Sequence, residues 1–158
     1  MLDDIDREIL RLLQQNGRIS SAEIARQIGM AASAIFQRVR KLEERGIISG
    51  YSVRLNARAV GYGLVAYVMV QTGENARDHN TGALLAAMPE VQEVHRVVGE
   101  DCFIVKVRVR DTDALAHLLE HEIQAIPSIV STRTTIVVKT LKETTDIPLD
   151  EPAIETVV

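Results

Sequence analysis

The segment from Ser20 to Gly46, SSAEIARQIGMAASAIFQRVRKLEERG, most constrains the fold, because two helical patterns are separated by only enough residues for a tight turn. Ser20 followed three residues later by Glu23 is a capping-box pattern, and Ile24, Ala25 and Ile28 continue at helical spacing until Gly29 stops the helix. A second helix is expected from about Ala32 to Arg45, with Ile35, Val39 and Leu42 on one side and Gly46 at the left-handed terminal position. At about 100° per residue, Ser33, Gln37, Arg40 and Lys41 fall opposite or nearly opposite that apolar sector. A donor-rich, cationic outer face on the second of two short helices is how a helix-turn-helix presents side chains to the DNA major groove. An ordinary solvated face in a helical hairpin fits the same residues.

The net charge of −4 speaks against a polyanion partner only until it is divided by segment. Residues 1–60 hold 10 Lys/Arg and 7 Asp/Glu, a balance of +3, whereas residues 61–158 hold 8 and 15, a balance of −7. Charge acts over roughly a Debye length of about 10 Å, so nucleic acid would be drawn to the N-terminal part. No apolar run approaches the roughly 20 residues of a membrane span, and the acidic start MLDDIDRE is unlike a signal peptide, so a cytoplasmic protein with no membrane partner is expected. The single cysteine, Cys102, excludes an internal disulfide and fits a reducing compartment.

Asp3 or Asp4 can cap a first helix with Ile5, Ile9, Leu12 and Leu13 as its stripe, ended by Asn16-Gly17, so that three helices share a core. IISGYSVRLN, residues 47–56, reads as a short wing or connecting strand on which Arg54, with Arg58 just beyond it, could touch phosphate. The pattern changes between Arg58 and Gly63. Beyond it we expect strands at 64–72, 91–99, 102–110 and 129–141 and helices at 77–88 and 111–126. That order, βαββαβ, is the ferredoxin-like arrangement of an antiparallel four-stranded sheet with both helices on one face. Tyr67, Met69, Val97 and Val137 would leave the other face apolar enough for a second protomer to cover. The expected division is 1–60, a helix-turn-helix domain with connecting strand; 61–142, a ferredoxin-like domain; and 143–158, a loosely held extension with no periodicity. The fold class is therefore α+β, a (winged) helix-turn-helix followed by a βαββαβ domain.

Two other features invite chemistry. HLLEH, from His117 to His121, matches the H-x-x-E-H pattern of inverted zinc proteases, but such an enzyme needs a distant third ligand, and Leu118, Leu119 and Ile123 are required by the sheet. Surface histidines suit the pattern better. Cys102 has no histidine at a recognisable nucleophile spacing and reads as a half-buried strand residue. No catalytic or metal-binding residue is assigned, and no cofactor is expected.

The combination of LDDIDREILRLLQQNGR, GMAASAIFQRVRKLEERGIISGY, MPEVQEVHRVVGEDCF and TLKETTDIPL, in that order and at that spacing, resembles the Lrp/AsnC (leucine-responsive/asparagine-regulator) family of transcription regulators over nearly the whole chain. The resemblance implies an N-terminal domain that binds double-stranded DNA and a C-terminal domain that dimerises, builds octamers or related discs, and binds small effectors, usually amino acids. Carried over, it implies Ser33, Gln37, Arg38, Arg40 and Lys41 at DNA, with Arg38 on the flank as a phosphate clamp. The effector loop would be Gly99, Glu100, Asp101 and Cys102, with His95 leading into it. Gly99 would permit a tight turn whose backbone N–H groups hold a carboxylate, and Asp101 or Glu100 would hold an ammonium.

Two positions depart from the family pattern. Ala31 stands where many relatives carry a hydroxyl helix cap, so Ser33 would take part of that role, and the Asp-aromatic pair of the effector loop is here interrupted as Asp101, Cys102 and Phe103. The expected function is a sequence-specific, non-enzymatic transcription regulator. The alternatives are an architectural DNA organiser without effector and, more remotely, a zinc hydrolase using His117 and His121.

Overall fold

The computed structural model describes residues 2–73 and 80–149. The chain divides into two compact units, one holding everything up to Arg54 together with the segment after Lys142, the other running from Leu55 to Lys142.

In the first unit, α1 (Asp4–Gln15) begins where the Asp3 carboxylate accepts the Asp6 backbone N–H at 2.7 Å. α2 (Ser21–Ile28) begins at Ser20, whose Oγ accepts the Glu23 N–H at 3.1 Å, and ends at Gly29 with φ 78°. Only half of the capping box forms, because the Glu23 carboxylate turns outward to Arg26 and Gln27. α3 (Ala32–Glu44) follows, and Gly46 adopts φ 68° after it. Ile9, Leu12, Ile24, Ala25, Ile35 and Leu42 close the core between the three helices, each burial removing apolar area from water at roughly 25 cal/mol per Å².

Two expectations change in this unit. Residues 47–56 form no strand, and Tyr51, Val53 and Leu55 are exposed. No neighbouring segment of the described chain offers the backbone ladder a wing requires. The segment from Glu143 to Leu149, expected to be loosely held, is irregular but docked: Gln14 donates to the Ile147 carbonyl at 3.0 Å and accepts its N–H at 2.7 Å, and Leu149 packs on the three-helix core.

The second unit is a four-stranded antiparallel sheet in the order β2-β3-β1-β4, from β1 (Leu64–Thr72), β2 (Val91–Arg96), β3 (Phe103–Val109) and β4 (Ile129–Ile136). α4 (Thr81–Ala86) and α5 (Thr112–His117) complete the βαββαβ order. Period-two alternation sends Ala66, Val68 and Val70 of β1 and Val105, Val107 and Val109 of β3 to the same side, where they meet Leu85 of α4, Leu115 of α5 and Leu118 and Ile123 beyond it. Both helices therefore lie on one face. The expected start of the first of them, at 77–79, lies outside the described residues.

The second expected helix is regular only to His117. It continues from Leu118 to Ile123 as one wide π-type turn before Pro127, a local change of pitch that periodicity does not encode. β4 stops at Ile136 instead of 141, because its partner β1 begins at Leu64 and leaves only the Val137 N–H to bond back to Val65.

Candidate nucleic-acid interface and effector loop

The orientation of α3 follows from its buried side. Ile35 and Leu42 are held in the core, which turns Ser33, Gln37, Arg40 and Lys41 to solvent. Arg40 Nε donates to Glu44 at 2.9 Å, the i, i+4 pairing its spacing favours, and both side chains remain mostly exposed. Such a surface pair contributes little to stability. Ala31 supplies no side-chain cap; its carbonyl receives the Ala34 and Ile35 N–H groups, and Ser33 stands exposed on the outer face.

Arg38, half-buried on the flank of α3, is bonded inward. Its Nη1 donates to Asp3 and to Asp6 at 2.7 Å each, tying α3 back to α1, and its side chain is 29% exposed. The Arg38 side chain expected at phosphate is thus bonded, through Nη1, to two carboxylates more than 30 residues away in sequence. The Asp6 N–H first, and Arg38 second, hold the Asp3 carboxyl below its ordinary range. Arg54 likewise reaches the Glu143 carbonyl, at 3.4 Å.

The exposed face carries one residue the expectation omitted. Phe36 is 55% exposed beside Ser33 and Gln37. Its signal was present in the sequence, since it falls outside the Ile35, Val39 and Leu42 repeat, but an apolar residue does not register as part of a polar face.

In the second unit the β2–β3 loop turns at Gly99, φ 151°, and is closed by the Val97 N–H on the Cys102 carbonyl at 3.0 Å. It is tied to β1 by the Cys102 N–H on Val70 O at 2.9 Å and by Gln71 Nε2 on the Glu100 carbonyl at 3.3 Å. Asp101 is ion-paired with Arg133 of β4 at 2.8 Å. An acid of the loop and a base of β4 thus stand side by side, and the base was not legible beforehand: Arg133 is one cation among threonines, and only strand register, Met69 opposite Arg133, brings it near the loop.

A hydrogen bond with Thr72, assisted by the Arg96 charge, pulls the Cys102 thiol below its ordinary range. His95 lies within β2 and meets Glu93 of the same strand at 3.3 Å. Lys106 first, then His95, lowers the Glu93 carboxyl.

His117 and His121 have ring centroids 4.9 Å apart, and His117 Nδ1 lies 3.8 Å from Glu122. Among the described residues no group of three or more His, Cys, Asp or Glu side chains stands where it could hold a metal. No helix among them is long and apolar enough to cross a membrane.

Comparison with known proteins gives this geometry its context. The family model for the Lrp/AsnC ligand binding domain matches residues 65–147, and that for a winged helix-turn-helix DNA-binding domain matches residues 2–49. The chain belongs to the Lrp/AsnC family. The HTH-type transcriptional regulator FL11 of Pyrococcus horikoshii is 35% identical to it over 94% of this chain and 97% of the relative. Among solved structures, a Neisseria meningitidis transcriptional regulator in complex with L-methionine superposes with a TM-score of 0.90 at 28% identity, covering 95% of this chain and 98% of that one. The feast or famine regulatory protein of Mycobacterium tuberculosis, also complexed with L-methionine, does so at 0.86 and 36% identity, covering 93% and 99%. This Lrp/AsnC chain is thus a transcriptional regulator with a DNA-binding and a ligand-binding domain, and its relatives are by family regulators and not enzymes.

Proposed function

We propose that the protein is a dimer-based regulator without enzymatic activity, which reads a near-palindromic operator through Ser33, Gln37, Arg40 and Lys41 and changes its DNA affinity on binding an amino acid. The observation that carries the DNA half is the α3 surface itself: four polar or cationic side chains turned outward by the burial of Ile35 and Leu42. Gln37 pairs with adenine, and Arg40 and Lys41 meet guanine or phosphate. Two such helices about 34 Å apart in a dimer engage successive half-sites.

The loop pair supports the sensing half. A free amino acid carries a carboxylate and an ammonium, which match Arg133 and Asp101 in charge and bring them apart from one another. Gly99, Glu100 and Cys102 line the turn beside that pair. The L-methionine bound by two relatives supports this chemical class. An effector acts only so far as it prefers one assembly or conformation over another.

The test combines selection of duplexes from a random pool by the full chain with a thermal-shift and solution-mass series across the twenty amino acids. Recovery of a palindromic sequence, a dimer or larger species, and at least one amino acid that raises the melting temperature and alters duplex affinity are expected. A pool enriched for nothing overturns the DNA reading, and a flat amino-acid series overturns the sensing reading.

A further inference from the structure

Phe36 keeps 55% of its surface in water, on a helix whose core positions are filled by Ile35 and Leu42. Phe36 is the fifth residue of α3, in the N-terminal half that a recognition helix directs at base edges. At 100° per residue it lies about 60° from Ser33 and about 40° from Arg40, so it shares their face. The side chain borders a hollow of about 450 Å³ that Val39 and Tyr51 also line.

The major-groove floor offers hydrogen-bond donors, acceptors and one apolar group, the C5-methyl of thymine. A phenyl ring has nothing to exchange with the donors and acceptors, and against guanine or cytosine it would strip water from polar atoms and return no hydrogen bond. Against a methyl group it gains contact and burial. We infer that Phe36 reads the C5-methyl of a thymine in each half-site, setting one position of operator preference that Gln37 and Arg40 do not set. This rests on the reading that α3 meets DNA, and it assigns a specificity-determining residue within that face.

Burying one methyl group corresponds to about fourfold in affinity per thymine and about fifteenfold for a symmetric pair. The experiment uses the full chain and its pool-selected duplex, in which each symmetry-related thymine pair is replaced in turn by deoxyuridine, removing only the methyl. The unsubstituted protein should lose about fifteenfold at one pair and little at the rest. Phe36→Ala should bind the parent duplex more weakly by a similar factor and be indifferent to uridine at that pair, and Phe36→Leu should recover part of the loss. Circular dichroism checks that each variant is folded, and the uridine scan of the unsubstituted protein decides the matter without any variant.

If no thymine pair responds to loss of its methyl, or if Phe36→Ala keeps the same response, the inference is overturned while the DNA reading stands. Failure of the unsubstituted protein to select any duplex overturns both. Arg40→Ala separates the two readings: it should weaken binding and leave the uridine response at that pair intact.

Discussion

Replacing Arg38 by methionine, which keeps the apolar stem and removes the fork, tests whether this residue holds helices or holds DNA. Asp6 is only 8% exposed, and its carboxylate receives Arg38 Nη1 at 2.7 Å. Breaking a fully buried pair costs about 3 to 5 kcal/mol, whereas a single charge-assisted hydrogen bond is worth about 1.5 to 3 kcal/mol. With Arg38 itself 29% exposed, the lower range applies, and about 2 kcal/mol is expected from the Asp6 bond alone. The Asp3 contact is solvent-screened and adds nothing to that figure. For a unit of this size the loss lowers the melting temperature by about 8 to 16 °C. Helix-monitored thermal or urea melts of the full chain read it directly.

The same variant has a second readout. Each phosphate contact contributes about 0.9 to the slope of log affinity against log salt. Below its lowered melting point, Arg38→Met should show the slope of the unsubstituted protein. An unchanged melt with a flatter salt slope would refute the structural role and restore the phosphate clamp. Acid gives a consistent sign: the Asp3 carboxyl is held below its ordinary range, so its contribution is present above that range and is lost as pH falls through the folded value. Arg38→Met should therefore weaken the acid sensitivity of the N-terminal unit.

Gln14→Ala removes both bonds to the Ile147 backbone and should speed proteolytic nicking after Lys142, at a cost of about 1 kcal/mol to the N-terminal unit; an unchanged digestion pattern would contradict the docking. Thr72→Val deletes the leading cause of the lowered Cys102 thiol, so the midpoint of its alkylation should move to higher pH, and an unmoved profile would count against that hydrogen bond. Arg133→Ala should abolish the thermal shift produced by any amino acid that the unsubstituted protein recognises, whereas a retained shift would remove Arg133 from the effector site.

What the sequence made legible were the features that repeat locally. The Ile35, Val39 and Leu42 phase fixed which side of α3 faces out, and Ser20, Gly29 and Gly46 fixed where helices begin and end. Alternation in β3 put Val105, Val107 and Val109 in the core. What stayed hidden were partnerships between distant residues. Arg38 shows its flank position on a helical wheel but not its reach to Asp3 and Asp6. Arg133 becomes relevant only through strand register, and nothing in the aperiodic run after Lys142 announces that Gln14 will clasp it. Phe36 was hidden for a different reason, since an apolar residue on a polar face looks like a packing residue until its exposure is known.

If the outward face of α3 carries the DNA affinity, the affinity of Arg40→Ala for the selected duplex as a function of salt must report it. Weaker binding, a salt slope reduced by roughly one per recognition helix, and an unchanged solution mass are expected. Binding as tight as that of the unsubstituted protein, with the same slope, would contradict it.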